Sequence, residues 1–425
     1  MSALKIALIN TFYPPYNFGG DGIYVRRLAH ALARRGCDVH ILHDTETYKA
    51  LAAKPLRSPE PLPEPPGVTV HHLESAIGPL SSLITHQTGR PIAHRKAMLD
   101  FFGIQFDVTH FHNVSAVGGP GILSMGSGVR LYTAHEHWLV CPTHILWRHD
   151  RELCDRRECF KCQLTYRRPP QLWRHTNYLE RQAANIDVFI ALSHSSAENH
   201  KKFGFPFKMV VMPSFLPDEE VAASAEDNSD TESFVLFVGR LEKLKGLQDV
   251  IPAFMGRPNI DLKVVGDGEY RGELESLAAG AANIRFLGRL PPAAINQYYA
   301  RAAAVILPSV CYEVFPLVAL EAFRAGAPII ARNLGPFPEI IEKSGAGFLF
   351  DAPQEAVLSA ERLASDPGLR SRLGDAARRA FRENWSEDAA LSGYFNLIAE
   401  KARMRGLGAT AEKALRLASK RADSR

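Results

Sequence analysis

The sequence lacks any apolar run long enough to cross a membrane. Although 46% of its 425 residues are hydrophobic, no stretch approaches the roughly 18 consecutive apolar residues of a spanning helix. The first residues, MSALKIALINTF, also lack the basic start, long apolar centre and small-residue cleavage site of a signal peptide. We therefore expect a cytoplasmic protein whose six cysteines stay reduced rather than paired as disulfides.

Two nucleotide-binding fingerprints and a strong charge bias are absent as well. The chain has no G-x-G-x-x-G after its first strand-like run and no G-x-x-x-x-G-K-[ST]. These absences disfavour a dinucleotide-dependent dehydrogenase and a P-loop NTPase. Lysine and arginine number 50 against 46 acidic residues, so the formal charge of +4 is too small to indicate a nucleic-acid partner.

The sequence does contain two alternations of apolar strands with helices. Because single hydrophobic cores stop growing near about 250–300 residues, a chain of 425 residues predicts two domains. The first alternation begins with the apolar run at 4–10, followed by a helix with apolar residues at helical spacing from Val25 to Leu32. The second begins with FVLFVG, after an acidic Ser/Ala-rich segment at 218–232 that is typical of a connection.

This alternation predicts the domain limits and the fold class. We expect a Rossmann-like domain over 1–214 with a cysteine-rich insertion at about 138–170, a linker over 215–233, and a second Rossmann-like domain over 234–385. Residues 386–425 are expected to form a helix that packs back on the first domain, followed by a basic tail. The predicted class is α/β, with two doubly wound parallel sheets that face a cleft, since such sheets bind ligands beyond the carboxyl ends of their strands.

A helix with a free N-terminus is predicted directly after the apolar strand AVILPS. Pro316 suits the first helical position and Gly326 the residue beyond the last turn. The amides of Leu317 and Val318 would then lack partners within the helix. Together with the helix dipole, they favour the binding of a diphosphate.

Two glutamates accompany this helix. Glu313 lies just before it and Glu321 lies on it. Carboxylates accept hydrogen bonds from sugar and ribose hydroxyls; the alternative is a chance pair on a solvated helix face. The segment resembles the E-x7-E region of the retaining glycosyltransferase family 4, which has the GT-B fold.

Other segments resemble the same family in the same order. Arg240 and Lys245 lie in a stretch similar to its G-R-L-x-x-x-K-G, whose arginine and lysine meet the donor diphosphate; the alternative is two solvated cations after a strand. VVGDGE resembles its G-x-G turn. Phe286 and Leu287 lie in a stretch that resembles its F-x-G, whose backbone receives the nucleobase. The segment that starts at Asn333 resembles its G-G-x-x-E loop.

The first half of the chain carries candidate residues at three strand ends. Gly19-Gly20 precede a predicted helix, where glycine lets backbone amides approach a phosphate or sugar closely; a plain turn is the alternative. The run DVTHFHN resembles the family's D-V-[VI]-H-x-H, whose second histidine, here His112, lies near the donor sugar. TAHEHW resembles T-x-H-D and gives His135 and Glu136 as acceptor residues; without the family, both histidines would be ordinary polar residues at strand ends.

The resemblance implies retaining transfer of a sugar from a UDP- or GDP-sugar to a hydroxyl acceptor. The catalytic residues would be His112, Arg240, Lys245 and Glu313. The donor contacts would come from Gly19, Gly20, Arg240, Lys245, Phe286, Leu287, Leu317, Val318 and Glu321. Because cations and a helix terminus balance the diphosphate, no divalent metal is implied. The alternatives are a nucleotide-sugar 2-epimerase of the same fold and a non-catalytic carbohydrate- or nucleotide-binding scaffold.

Four cysteines fall close together after the predicted acceptor residues, at Cys141, Cys154, Cys159 and Cys162. This spacing predicts a structural zinc site, with free thiols or an iron–sulfur or redox role as alternatives. Four thiolates would close the coordination shell, so catalytic zinc is not expected.

Basic and aromatic residues are interleaved around these cysteines. They are Trp147, Arg148, Arg151, Arg156, Arg157, Phe160, Lys161, Tyr166, Arg167, Arg168, Trp173 and Arg174. The mixture suits a glycan or lipid-linked saccharide that bears phosphate; a solvated face is the alternative. Near the C-terminus, Ala411 and Ala414 form a weak helical stripe beside Lys413, which predicts either a frayed tail or peripheral contact with the inner membrane face.

Overall fold

Two compact α/β units make up the protein. The computed structural model describes residues 2–52, 60, 62–217, 234–257 and 259–420. Residues 1–214 and 387–425 form the first unit, and residues 215–386 form the second. Most of the segment predicted as a linker, 218–233, lies outside the described residues.

A parallel sheet of seven strands forms the centre of the first unit. The strands of this unit are β1 (Lys5–Ile9), β2 (Asp38–Asp44), β3 (Val68–Leu73), β4 (Val108–Phe111), β5 (Val129–Ala134), β6 (Trp147–Arg148), β7 (Glu152–Leu153), β8 (Val188–Ala191) and β9 (Met209–Val211). The sheet has the order β3-β2-β1-β4-β5-β8-β9, while β6 and β7 form an antiparallel hairpin. The side chains of β1 from Ile6 to Ile9 are fully buried, as expected where helices cover both faces of a parallel sheet.

Helices connect the strands of this sheet. They are α1 (Gly20–Arg34), α2 (Thr45–Leu51), α3 (Leu80–Thr88), α4 (Arg95–Phe102), α5 (Cys159–Thr165), α6 (Tyr178–Ala183) and α7 (His194–Lys202). On α1, the predicted apolar face is buried, including Val25, Leu28 and Leu32. Just beyond this helix, Gly36 has a φ of 91°, a conformation that glycine adopts without strain.

The second unit is built on a parallel sheet of six strands. They are β10 (Phe234–Val238), β11 (Asp261–Val265), β12 (Ile284–Gly288), β13 (Ala304–Leu307), β14 (Ile329–Arg332) and β15 (Gly347–Phe350), in the order β12-β11-β10-β13-β14-β15. Phe234 and Leu236 enter one hydrophobic cluster, whereas Val235 and Phe237 enter another. The alternation along β10 confirms a doubly wound sheet with a core on each face.

Helices of the second unit cover both faces of its sheet. They are α8 (Leu247–Met255), α9 (Arg271–Leu277), α10 (Pro292–Arg301), α11 (Leu317–Ala325), α12 (Phe337–Ser344), α13 (Pro353–Ser365) and α14 (Pro367–Asn384). The strands and helices that the apolar pattern predicted in this half are therefore present. Among the helices of the described ranges, none is both long and apolar enough to cross a membrane.

Two C-terminal helices, α15 (Glu387–Met404) and α16 (Gly408–Ala418), belong to the first unit. At the start of α15, Glu387 forms an ion pair with Arg34. Further along, the Tyr394 ring stacks on His110, with its hydroxyl 3.1 Å from Nδ1. The side chain of Phe395 is fully buried. The helix α15 is thus an integral part of this unit.

The alanine stripe of α16 is packed rather than frayed. Ala411 and Ala414 are buried, and α16 packs along α15. Lys413 Nζ lies 3.0 Å from a carboxylate oxygen of Asp107, the residue directly before β4. The prediction of a frayed tail or a membrane-facing stripe is therefore wrong for these residues, because their apolar face has a protein partner.

We predict that Phe395→Ala lowers the free energy of unfolding of the first unit by about 3–5 kcal/mol, since it removes a fully buried ring. Chemical denaturation monitored by circular dichroism would measure the change. Met404→Ala is the matched control, because Met404 lies on the same helix and is 75% exposed. Equal stability losses in both variants would contradict the packing of α15.

Candidate active site

Two glycine-dependent loops meet beyond the ends of β10 and β11. The amide of Leu241 donates to the carbonyl of Asp267 at 3.0 Å. A Cβ on Gly266 would lie 1.9 Å from the carbonyl oxygen of Gly239, and one on Gly268 would lie 2.3 Å from that of Leu241. The G-x-G turn therefore requires glycine because two backbones touch, and it fixes the loop that carries Arg240.

A third loop is held against the end of β13. Gly246 has a φ of 74°, and a Cβ there would lie 2.0 Å from the carbonyl oxygen of Pro308. The amide of Val310 donates to the carbonyl of Leu244 at 2.9 Å. These contacts fasten the turn that ends in Lys245 to the segment leading toward Glu313.

Lys245 and Glu313 form an ion pair at this junction. Lys245 Nζ donates to Glu313 Oε1 at 2.7 Å, and Ser309 Oγ donates to the same oxygen at 2.8 Å. Burial alone would raise the pKa of Glu313, but Lys245 and Ser309 more than offset it, so this pKa is lowered. Burial would likewise lower the pKa of Lys245, but Glu313 outweighs it and this pKa is raised. Both side chains therefore stay charged near neutral pH.

Arg240 lies beside this pair but stays in solvent. Its side chain is 67% exposed, and Nη1 lies 2.6 Å from Glu242 Oε1. Its positive charge also helps to lower the pKa of Glu313, after the effects of burial, Lys245 and Ser309. The second unit thus brings Arg240, Lys245 and Glu313 together.

The helix α11 begins one residue later than predicted. Pro316 is its N-cap in an extended conformation, not its first helical residue. The amide of Ala319 donates to the carbonyl of Pro316. Within the described part of the chain, the amides of Leu317 and Val318 have no acceptor. They are therefore available to an anion.

Glu321 has a partner that sequence reasoning missed. The hydroxyl of Tyr299, on α10, donates to Glu321 Oε2 at 2.9 Å. Burial raises the pKa of Tyr299, and the Glu321 carboxylate raises it further, so the phenol remains a donor. A tyrosine one helix earlier gave no sequence signal for this contact, because only tertiary packing joins α10 to α11.

The stretch predicted to receive a nucleobase lies at the end of β12. Phe286 and Leu287 are half-buried and pack against the clusters on opposite faces of the sheet. Gly288 has a φ of 69°, and its carbonyl accepts from the amide of Gly266 at 2.8 Å. On another loop, a Cβ on Gly335 would lie 3.6 Å from the backbone of Glu313.

In the first unit, the structure brings His112 and His135 together. His112 Nδ1 lies 2.9 Å from His135 Nε2, and the Tyr24 ring packs against both imidazoles. Burial lowers the pKa of His135 to about 3 and holds that of His112 well below its ordinary value. Both rings are therefore neutral at neutral pH. His112 Nε2 is buried and has no hydrogen-bond partner among the described residues.

The glycine-rich loop contains a buried carboxyl group that sequence reasoning did not single out. Gly19 is the N-cap of α1, and Gly20 is the first residue of this helix. A side chain at Gly22 would clash with its surroundings, because a Cβ there would lie 2.3 Å from Asn17 Oδ1. Burial, followed by the charge of Glu136, raises the pKa of Asp21 to about 6.

Polar side chains from two strand ends surround Asp21. Its Oδ2 accepts from the amide groups of Asn113, at 3.3 Å, and Asn10, at 3.4 Å. Glu136 also contacts His144, with 2.8 Å between Oε1 and Nδ1. The carboxyl ends of β1, β4 and β5 therefore bring the predicted acceptor residues close to a carboxyl group that titrates near neutral pH.

The cysteine-rich insertion contains little regular structure. Its backbone has positive φ at five non-glycine residues, which are His144, Leu146, His149, Asp150 and Arg167. Burial, and after it the neighbouring Cys141, Cys159 and Cys162, raise the pKa of Cys154 to about 11. The four thiols predicted as zinc ligands therefore lie within electrostatic range of one another.

A compact set of metal-ligand atoms occurs elsewhere. Across the described residues, three such atoms within 4.8 Å of one another are found at Asp44, Glu46 and His94 and not at the cysteines. Asp44 caps α2 through the amides of Glu46 and Thr47, and Glu46 accepts hydrogen bonds from Ser75 and Ser81. The carboxylates are thus already satisfied by local structure, whereas metal coordination by the cysteines would require their sulfurs to move closer.

Comparison with known proteins finds a family model similar to each half of the chain. Residues 18–220 match the model described as Glycosyltransferase Family 4, and residues 218–380 match the model described as Glycosyl transferases group 1. A curated relative, the D-inositol 3-phosphate glycosyltransferase of Pseudarthrobacter chlorophenolicus, is 29% identical over 404 residues, which cover 88% of this chain and 89% of the relative.

Solved structures share the architecture of both units. Sucrose-phosphate synthase from Thermosynechococcus elongatus has a TM-score of 0.68 at 20% identity, over 95% of this chain and 99% of that one. The Anabaena protein HepE, in complex with UDP and glucose, has a TM-score of 0.64 at 18% identity, over 93% and 100% of the chains. These likenesses confirm the predicted GT-B fold.

We predict that Asp21 makes stability depend on pH. Its pKa is about 6 in the folded chain and about 4 when unfolded, so the folded state binds more protons between these values. The free energy of unfolding should therefore fall by about 2–3 kcal/mol as pH rises from about 4 to about 6. Asp21→Asn should abolish this fall in denaturation curves, whereas Asp100→Asn, at an exposed position on α4, should retain it.

Proposed function

We propose that this chain, whose two halves match glycosyltransferase models and whose units share the GT-B fold, transfers a sugar from a nucleoside-diphosphate sugar to a hydroxyl acceptor with retention of anomeric configuration. The observation that carries the proposal is the ion pair of Lys245 and Glu313 beside the free N-terminus of α11. In this proposal the predicted donor domain, over 234–385 of the second unit, holds the donor. Residues 1–214 supply the acceptor residues, and 215–233 connect the two domains.

The proposed donor contacts follow from the chemistry of each group. The amides of Leu317 and Val318 and the cations of Lys245 and Arg240 balance the diphosphate, whose charge grows as the glycosidic bond breaks. This arrangement needs no divalent metal. The crystal structure of HepE with UDP and glucose supports a UDP-sugar, although a GDP-sugar fits the same phosphate contacts.

The remaining donor groups bind the sugar, the ribose and the base. Glu313 accepts hydrogen bonds from sugar hydroxyls, and Glu321, oriented by Tyr299, accepts from the ribose. The backbone of Phe286 and Leu287 receives the nucleobase. Because the Lys245 ammonium lies 2.7 Å from Glu313, it offsets the repulsion between this carboxylate and the diphosphate, while Arg240 and the helix amides supply the remaining positive charge.

The proposed transfer uses the leaving phosphate as its base. The acceptor oxygen forms the new bond on the face from which the nucleoside diphosphate departs, and a phosphate oxygen takes the hydroxyl proton. The neutral His112, with Nε2 free to donate or accept, orients a sugar hydroxyl. Gly19 and Gly20 let the backbone approach the ligands closely.

We propose a glycan or lipid-linked saccharide as acceptor, oriented by His135 and Glu136. The insertion and the turn that follows it add exposed apolar side chains at Phe160, Leu164 and Leu172. They support peripheral contact with the inner membrane face. A cytoplasmic location and a role in polysaccharide biosynthesis fit this acceptor class.

We predict that wild-type protein is stabilised thermally by UDP- or GDP-sugars and that Lys245→Met weakens this binding about 10–100-fold, because a charged hydrogen bond to the diphosphate is lost. Lys243→Met is the matched control, since this lysine is exposed two residues earlier. Unchanged nucleotide affinity in Lys245→Met would refute the donor assignment. An altered donor sugar formed without any acceptor would favour the 2-epimerase alternative.

We also propose that Cys141, Cys154, Cys159 and Cys162 bind a structural zinc ion. Their proximity in the fold and the amide of His149, which donates to Cys162 Sγ at 3.4 Å, support this ligand set. Zinc would cross-link an insertion whose described regular structure is the short β6–β7 hairpin and the short helix α5.

We predict about one zinc ion per chain in protein purified under reducing conditions. Cys159→Ser should reduce the metal content, measured by inductively coupled plasma mass spectrometry, to a small fraction of the wild-type value. Cys37→Ala is the control, because Cys37 is a buried cysteine outside the insertion. Metal-free wild-type protein, or equal zinc content in both variants, would leave only free thiols.

A further inference from the structure

A cavity of about 670 Å³ opens in the first unit, between the cysteine-rich insertion and α6. Apolar side chains, including Leu139, Phe160 and Leu179, form part of its wall. Cavities of this size accommodate a small organic ligand. None of the residues in the predicted donor site lines it.

Arg174 gives this cavity an unpaired cation. Its guanidinium lies over the rings of Trp138 and Trp173, at 5.2 Å and 4.6 Å from their centroids. Its Nη2 is buried without a hydrogen-bond partner, and no carboxylate of the described residues forms an ion pair with it. Burial lowers the pKa of Arg174 to about 10, so the group still carries its charge at neutral pH.

The other charges around the cavity leave a positive excess. Arg157 and Lys161 line it, are exposed, and have no ion pair within the described chain. Of the two acidic residues in the lining, Glu158 already pairs with His149 and Arg156. The other, Glu180, is exposed. The lining therefore contains three cations, those of Arg157, Lys161 and Arg174. Against them stands one carboxylate, that of Glu180, with no ion pair among the described residues.

We propose that this cavity binds a phosphate group of the acceptor, with Arg174 as the buried anchor and Arg157 and Lys161 at the rim. The planar fork of arginine matches phosphate oxygens, and the two indole rings hold it in place. The apolar wall would pack against the sugar or lipid portion next to the phosphate. The inference rests on the proposed function, since it names the acceptor class of that enzyme.

The cavity also has a link to the predicted acceptor residues. The charge of Glu136 raises the pKa of Arg174, after the larger effects of burial and neighbouring groups, so the two side chains lie within electrostatic range. A phosphate bound by Arg174 would therefore lie in the same region of the first unit as the residue proposed to orient the acceptor hydroxyl.

The test measures phosphate affinity in a charge-matched pair of double variants. Arg157→Gln/Lys161→Gln should weaken binding of inorganic phosphate and of glycerol 3-phosphate by at least about tenfold, measured by isothermal titration calorimetry. Arg151→Gln/Arg168→Gln removes the same charge from exposed residues of the insertion that do not line the cavity, and should change affinity less than about twofold. Equal losses in both double variants, or the absence of wild-type binding to inorganic phosphate, glycerol 3-phosphate and phosphatidic acid vesicles alike, would overturn the proposal.

Arg174→Gln should abolish binding altogether. If this variant fails to fold, the rim variants still decide the question, because Arg157 and Lys161 are exposed. Vesicles with phosphatidic acid, compared with phosphatidylcholine alone, distinguish a lipid headgroup from a soluble phosphate: binding to the former but not to glycerol 3-phosphate identifies a lipid acceptor. UDP affinity should be unchanged throughout, so a loss of phosphate binding is separable from a failure of the donor site.

Discussion

Hydrogen bonding between buried parallel strands is the constraint on which both units depend. A parallel sheet sends every strand in one direction, so the loops after the strands gather along a single edge. The Gly19 loop follows β1 and His112 follows β4, while Arg240 follows β10 and Glu313 follows β13. Residues far apart in sequence become neighbours without any side-chain interaction having to draw them together.

Burial affects the ionisable side chains differently at the sheet edges of the two units. In the second unit, burial of Glu313 is balanced by Lys245 and Ser309, which keeps a charged pair ready beside free helix amides. In the first unit, burial instead makes His112 neutral and raises the pKa of Asp21. The first arrangement suits a ligand of high negative charge, and the second suits one whose hydroxyls exchange hydrogen bonds with uncharged groups.

The insertion combines positive-φ backbone with neighbouring thiols, and the cation of Arg174 lies just beyond its predicted end. A surface loop of this length requires stabilisation from outside its own short hairpin and helix, and four cysteines offer it through a metal. Arg174 is held by two tryptophan rings but by no carboxylate in the described chain. A buried cation without a carboxylate partner is energetically unfavourable unless an anion binds it. The insertion and Arg174 therefore support a structural role, through the metal, and a role in recognising the acceptor.

The sequence alone determined the alternation of strands and helices, because apolar runs mark buried strands and glycine residues mark the ends of helices. The resemblance of its motifs to a known family, rather than any local pattern, indicated Lys245, Glu313 and His112. Tertiary structure alone decided the contact of Tyr299 with Glu321, the raised pKa of Asp21, the packing of α16, and the unpaired charge of Arg174. These features depend on burial and on partners from distant segments, which no local pattern of residues encodes.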